Sequence, residues 1–214
     1  MTGPKVKAFT EQNKRMVCPA RRDFLKALAL GTGGLALGSL FPHPAGAIDP
    51  ATLKEIPMET RWASVGRSYT WIDTMYAKAL LDEVGRKRME EIQKKIYTTA
   101  GKGLKLRADA FGLSAQDAKG AAEVIQTLKI ISNGPETKIE TVEATAERAV
   151  VRCLECGFAN RRKQMRITDD LCSVFSQAWW DSGAKSFNPK LTGTLTKAMP
   201  WGDPYCEFVI ELQA

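Results

Sequence analysis

The chain has 214 residues, a formal net charge of +7 and one histidine, His43. The first 47 residues contain that histidine with seven of the basic and two of the acidic residues, so residues 48–214 have a net charge of about +2. A nearly neutral segment without histidine excludes a Ser-His-Asp or Cys-His catalytic pair and a histidine metal ligand. It also gives no electrostatic basis for nucleic-acid binding.

The first 47 residues have the features of an export signal. Arg21 and Arg22 precede an apolar, uncharged run at 27–41, which resembles the twin-arginine motif, and the small residues at 45–47 suit signal peptidase. The run is shorter than the ~20 residues that a bilayer core requires. We therefore expect residues 1–47 to be a cleaved twin-arginine signal peptide, with the twin-arginine translocase as export partner. The remainder is expected to be a single periplasmic or extracytoplasmic domain.

Apolar residues recur at helical spacing between Trp62 and about Ala100. They are Ile72, Met75, Tyr76, Ala79, Leu80, Val84, Met89, Ile92 and Ile96. This spacing predicts one long or two shorter amphipathic helices. A second helix is predicted from Ser114, a capping residue followed three positions later by an acid, to Asn133.

The pattern changes to strand periodicity after Pro135. Alternation predicts two strands joined near Ala146 and, towards the C-terminus, two more. The four segments are Lys138–Ala144, Glu147–Cys153, Lys190–Ala198 and Tyr205–Leu212. A third helix is predicted between the two pairs, opened by residues 168–170 and closed at Asn188. This order predicts an α+β fold with an antiparallel sheet of about four strands, covered by helices, after an N-terminal helical segment.

Four cysteines lie in the C-terminal third of the chain: Cys153, Cys156, Cys172 and Cys206. One interpretation is buried apolar residues or structural disulfides. A second is a zinc or iron–sulfur site on all four, with Cys153 and Cys156 as a Cys-x-x-Cys half. A third is a reactive thiol, with Cys172 or Cys206 favoured. The fourth is a redox-active pair of Cys153 and Cys156.

Aromatic and charged residues near these cysteines are further candidates. Trp179, Trp180, Trp201 and Tyr205 either line a small-molecule pocket or belong to the core. Asp203 either caps the turn before Cys206 or acts as an acid or base. A basic run, Arg161, Arg162, Lys163 and Arg166, is expected on a solvated face, with an anion-binding pocket mouth as the alternative.

The segment Val151–Leu212 resembles a known family. The residues that carry the resemblance are Cys153, Phe158-Ala159-Asn160, Leu171-Cys172, Phe187-Asn188-Pro189, Leu195-Thr196-Lys197 and the closing Gly202–Phe208. They resemble the L-2-amino-thiazoline-4-carboxylic acid hydrolase-like family and, more distantly, the small-molecule-binding domains named after 4-vinyl reductase. The resemblance implies an α+β domain that holds a small ligand, and an activity that opens a thiazoline ring by hydrolysis. Cys153, Cys172, Asp203 and Cys206 match the family pattern.

Two functions are compatible with these observations. In the first, the exported domain binds a small molecule and hydrolyses a sulfur-containing or cyclic substrate. Cys172 or Cys206 then acts as nucleophile, Asp203 positions water, and Trp179, Trp201 and Tyr205 contact the ligand. In the second, the domain is a non-catalytic ligand- or metal-binding subunit of an exported redox enzyme complex.

Overall fold

The computed structural model describes residues 54–213, and the predicted signal peptide at 1–47 lies outside this range. From Ile56 onward the chain forms one compact unit. None of the helices within 54–213 combines the length and the hydropathy that crossing a bilayer requires.

The first helix, α1, spans Met58–Lys102 and is interrupted at Gly85, whose φ of 74° is in the region that favours glycine. A short helix, α2, follows at Leu104–Ala110. The predicted apolar stripe is not the buried face of the first half of α1. Small and polar residues are buried there instead: Gly66, Thr70, Thr74 and Ala77.

The next helix, α3, spans Ala118–Asn133 and begins later than predicted. Its N-cap is Asp117, whose side chain accepts a hydrogen bond of 2.7 Å from the Gly120 amide, and not Ser114. Asp117, the acid expected three positions after the cap, is therefore the cap itself. The predicted end at Asn133 is confirmed.

Four antiparallel strands form one sheet in the order β1-β2-β4-β3. They are β1 at Lys138–Ala144, β2 at Arg148–Glu155, β3 at Leu191–Lys197 and β4 at Cys206–Leu212. Each hairpin pairs its own strands, and β4 joins the hairpins by pairing with β2. The predicted α+β fold is confirmed. The strands were predictable because apolar residues alternate with polar ones in a strand that is covered on one face.

Two helices frame the cysteine-containing segment. Helix α4 spans Gly157–Gln164, where no helix was predicted, and α5 spans Ser173–Phe187. A Cβ on Gly157 would lie 2.9 Å from the Thr70 side chain, so glycine lets α4 begin directly against α1. Arg161 and Arg162 are both buried. The prediction that they lie on a solvated face is therefore wrong.

The core lies between the sheet and the helices. Its largest fully buried side chains include Trp180 of α5, Phe208 of β4 and Ile125 of α3. The opposite face of the sheet carries ion pairs such as Arg148 with Glu211 and Arg152 with Glu207. One face of the sheet is therefore covered by helices, and the functional site lies on that side.

Candidate functional site

A cavity of about 120 Å³ is lined by residues of all five helices. Six aromatic side chains from three of these helices line it: Tyr69, Tyr97, Phe158, Phe175, Trp179 and Trp180. The polar groups that line it include Lys129, Arg107 and Ser132. Most small-molecule sites share this composition, an aromatic wall with a few polar groups.

The aromatic wall is continuous. The Tyr97 and Phe175 rings are stacked with centroids 4.4 Å apart. Phe158 meets Phe175 edge-on at 5.3 Å, and Tyr69 meets Phe158 edge-on at 5.8 Å. These arrangements are the favourable ones for aromatic pairs, so the rings hold one another in place.

Tyr97 is also fixed by a hydrogen bond. Its hydroxyl donates to Asp73 Oδ1 at 2.6 Å, and both residues belong to α1 on opposite sides of the Gly85 break. Burial raises the pKa of Asp73 above its ordinary value, although the bond from Tyr97 partly offsets this effect. Burial and the Asp73 carboxyl also raise the pKa of Tyr97, which therefore remains a neutral donor.

Lys129 is the unusual polar residue of the cavity. Only 9% of it is exposed, and its Nζ lies 5.2 Å from the centroid of the Phe208 ring and 5.7 Å from that of Trp180. Within residues 54–213 its ammonium group makes no ion pair with a carboxylate. A buried charge without such a partner is rare in proteins, because removal from water is costly.

The nearest groups able to balance this charge are the four thiols. Burial by itself lowers the pKa of Lys129, but its electrostatic interaction with the cysteine cluster, Cys153 and Cys156 foremost, outweighs burial and raises that pKa above its ordinary value. Lys129 is thus a buried cation between an aromatic cavity and a cluster of sulfur atoms.

The fold brings the four cysteines to one region. Cys153 near the end of β2 and Cys206 at the start of β4 are directly paired across the two strands. Cys156 is the N-cap residue of α4, and Cys172 is that of α5. All four are free thiols in this structure. Two strand ends and two helix N-termini therefore supply the cluster.

The thiols do not share one ionisation behaviour. The neighbouring Cys153 side chain, Lys129 and the Ala159 and Phe158 amides lower the pKa of Cys156 below its ordinary value. The neighbouring Cys156 and burial raise the pKa of Cys153, whose Sγ donates to the Glu155 carbonyl oxygen at 3.3 Å. Cys156 is accordingly the more acidic thiol of the two.

The two predicted nucleophiles lie in a different environment. Burial raises the pKa of Cys172 and of Cys206 above the ordinary thiol value. The Cys206 Sγ accepts a hydrogen bond of 3.4 Å from the Met199 amide, which offsets only part of that effect. A catalytic role for these two thiols stays a prediction.

A metal centre on the cysteines also stays a prediction. Within residues 54–213, no three Cys, His, Asp or Glu side chains are grouped so that they could hold a metal ion.

The other predicted site residues lie in three separate places. Asp203 Oδ2 accepts a hydrogen bond of 2.9 Å from the Ala198 amide, which closes the turn before β4. Trp201 is 55% exposed, and its Nε1 donates to Asp170. Tyr205 stacks against Arg152 at 4.7 Å, away from the cavity. Of the three aromatic residues predicted to contact a ligand, Trp179 lines the cavity and the other two do not.

Sequence reasoning missed Lys129 and most of the aromatic wall. A lysine in an amphipathic helix normally marks its solvent face. Tyr69 and Tyr97 lie on opposite sides of the Gly85 break in α1, and Phe158 lies in α4, so no local motif connects them. Of these residues, only Phe158 was noted in the sequence, as part of the segment that carries the family resemblance.

No family model and no curated protein match the chain. Among solved structures, it is similar to the phenol-responsive sensory domain of the transcription activator PoxR with phenol, at 12% identity and a TM-score of 0.53, over 67% of this chain and 74% of that one. It also matches an H-NOX protein from S. oneidensis in the Fe(II)NO ligation state, at 18% identity and a TM-score of 0.42, over 64% and 72%. The first likeness shows that the two proteins share a fold.

Proposed function

We propose that the chain is a small-molecule-binding domain whose ligand occupies the aromatic cavity and places an acidic or hydrogen-bond-accepting group on Lys129. The observation that carries this proposal is the buried ammonium group of Lys129, which lines the cavity and has no carboxylate partner within residues 54–213. A ligand that supplies an anion would compensate the cost of burying that charge.

The cavity defines the size of the ligand. An apolar cavity of about 150 Å³ binds benzene, and this one is slightly smaller, at about 120 Å³, so one ring is the largest group that it can enclose. Its walls favour a flat apolar group, because aromatic rings surround it. The ligand class is therefore a single ring that bears a phenolate, carboxylate or similar acceptor.

Two independent likenesses support the same ligand class. The PoxR sensory domain, which shares the fold, is described as phenol-responsive. The family that residues 151–212 resemble acts on a thiazoline carboxylate, also a single ring with an acidic group. We therefore propose membership of that hydrolase-like family, with ligand binding as the shared property.

A thermal-shift panel tests the ligand class. We expect phenol, benzoate and L-2-amino-thiazoline-4-carboxylate to raise the melting temperature in proportion to their affinity, and at least one of them to do so at millimolar concentration. Toluene, which has the ring but no acceptor, serves as the matched control. Equal shifts with toluene, or none with any compound, would reject Lys129 as the recognition group.

Hydrolysis is the second candidate, and the lowered pKa of Cys156 favours it. A thiolate beside a buried ammonium is an activated nucleophile. If the domain hydrolyses the thiazoline ring, Cys156→Ser abolishes turnover. The roles predicted from sequence would instead be supported if Cys156→Ser keeps its activity and the activity is lost in Cys172→Ala, Cys206→Ala or Asp203→Asn.

We further propose export by the twin-arginine route, on the strength of Arg21, Arg22 and the apolar run at 27–41. Replacement of both arginines by lysine should leave the protein in the cytoplasmic fraction, whereas the unchanged chain is found in the periplasmic fraction. Equal distribution of both would reject the route. The same fractions, purified without detergent, show whether the domain accompanies an exported redox enzyme as a subunit.

A further inference from the structure

The outer face of α1 carries an apolar row that nothing within residues 54–213 covers. Its members are Met58, Val65, Tyr69, Ile72, Met75 and Tyr76, which are between 42 and 70% exposed. We call this row the outer seam. The buried residues of the same half-helix, such as Thr70 and Thr74, lie on its other side. The exposure of so many large apolar residues in one row marks an interaction surface.

The spacing of the seam identifies the kind of partner. Met58, Val65 and Ile72 are seven residues apart in succession, and Tyr69 and Tyr76 are also seven apart. A seven-residue repeat of apolar positions is the pattern by which one helix packs along another. The seam ends before Gly85, where the helix is interrupted. The partner surface is accordingly a helix of similar length.

We infer that the partner is a second copy of this chain, packed antiparallel about a two-fold axis near Ile72. In that arrangement Ile72 meets its own equivalent, and Val65 faces the small Ala79 of the second copy. Arg61 at one end of the seam is then placed opposite the exposed Glu83 of the second copy. This register therefore pairs opposite charges at Arg61 and Glu83.

The area of the seam is sufficient for a stable dimer. Six large side chains that are 42–70% exposed offer an area of the order that one partner contributes to a standard interface, about 800 Å². Flanking residues such as Trp71, 41% exposed, add to it. Tyr69 belongs both to the seam and to the cavity lining, so the dimer covers one side of the cavity. The inference does not depend on the proposed ligand.

Sedimentation velocity of the full chain between about 1 and 100 µM tests the dimer. We expect a dimer for the unchanged chain and for Leu106→Glu, a control in which an exposed leucine of α2, outside the seam, is replaced. Ile72→Glu should raise the dissociation constant at least about 100-fold, since it places two unpaired charges at the axis. Unchanged circular dichroism would show that the variant is folded, as expected for a residue that is 65% exposed.

Cysteine cross-linking tests the register. Ile72→Cys should form a disulfide-linked dimer on mild oxidation, whereas Met58→Cys should not, because only the residue at the axis meets its equivalent. A chain that is monomeric at 100 µM overturns the inference. The seam would then be a surface for residues 27–41 or for another protein. A dimer that survives Ile72→Glu overturns it as well.

Discussion

The Nζ of Lys129 lies 5.2 Å from the centroid of the Phe208 ring, inside the protein and without a carboxylate partner within residues 54–213. Contact with an aromatic face stabilises a cation by about 0.5–2 kcal/mol, which is less than the cost of burying it. The nearby thiols offset part of the remaining cost of burying the lysine charge. The cavity leaves room for a ligand that offsets the rest of that cost.

The thiols should differ in their reactivity towards an alkylating reagent. Because the pKa of Cys156 is lowered and those of Cys153, Cys172 and Cys206 are raised, we expect iodoacetamide to label Cys156 first at about pH 6. Peptide mapping by mass spectrometry identifies the labelled residue. Lys129→Met should move this labelling to higher pH. Uniform labelling of all four thiols would contradict the assigned thiolate.

Asp170 should contribute to stability in a pH-dependent way. Burial raises its pKa, but bonds from the Ser173 hydroxyl and from the Ser173 and Cys172 amides outweigh burial and hold that pKa below its ordinary value. A lowered pKa means that the carboxylate stabilises the fold above the unfolded value of about 3.9, and that this stabilisation is lost as pH falls through the folded value.

Asp170→Asn should therefore lower the free energy of unfolding by about 1 kcal/mol at pH 7, the usual effect of losing a side chain that accepts bonds from the first amides of a helix. The difference should shrink as pH falls below about 4. Urea titrations at several pH values measure it. Asp169→Asn is the matched control, because its ion pair with Arg86 is partly exposed and should contribute little. If the free energies of unfolding of the two chains differ by the same amount at every pH, the charge of Asp170 does not contribute to stability.

Much of the sheet was predictable from sequence because its strands are buried on one face. Val151 and Phe208 alternate with charged neighbours, and this alternation marked β2 and β4 within two residues. The first half of α1 was misread for a physical reason. Gly66, Thr70 and Thr74 are buried because they permit close packing, whereas Ile72 and Tyr76 are exposed on the outer seam. Hydrophobicity along the helix therefore marked the face opposite the core.

The site was less predictable than the fold. Burial of the cysteines was one of the interpretations of the sequence, and β2 and β4 pair Cys153 directly with Cys206. Lys129 gave no signal, because its burial results from the way that α3 packs against Trp180 and Phe208. Asp203 was ambiguous in sequence between a turn cap and a catalytic acid, and its bond to the Ala198 amide accounts for the cap.

The metal hypothesis makes a prediction of its own. If Cys153, Cys156, Cys172 and Cys206 hold zinc or an iron–sulfur cluster, elemental analysis of the purified protein finds about one zinc, or the cluster's iron, per chain. Cys156→Ser should then lose the metal and much of the stability, because structural metal binding is coupled to folding. Four titratable thiols in denaturant, with no bound metal, would reject the hypothesis.

Isothermal titration of the ligand found by thermal shift into Lys129→Met tests the central claim most directly. A hydrogen bond to a buried charge contributes about 1.5–3 kcal/mol, so we expect affinity to fall about 10- to 100-fold. Lys102→Met, a control on an exposed lysine, should bind like the unchanged chain. Unchanged affinity in Lys129→Met, with the fold intact by circular dichroism, would contradict the assignment of Lys129 as the group that recognises the ligand.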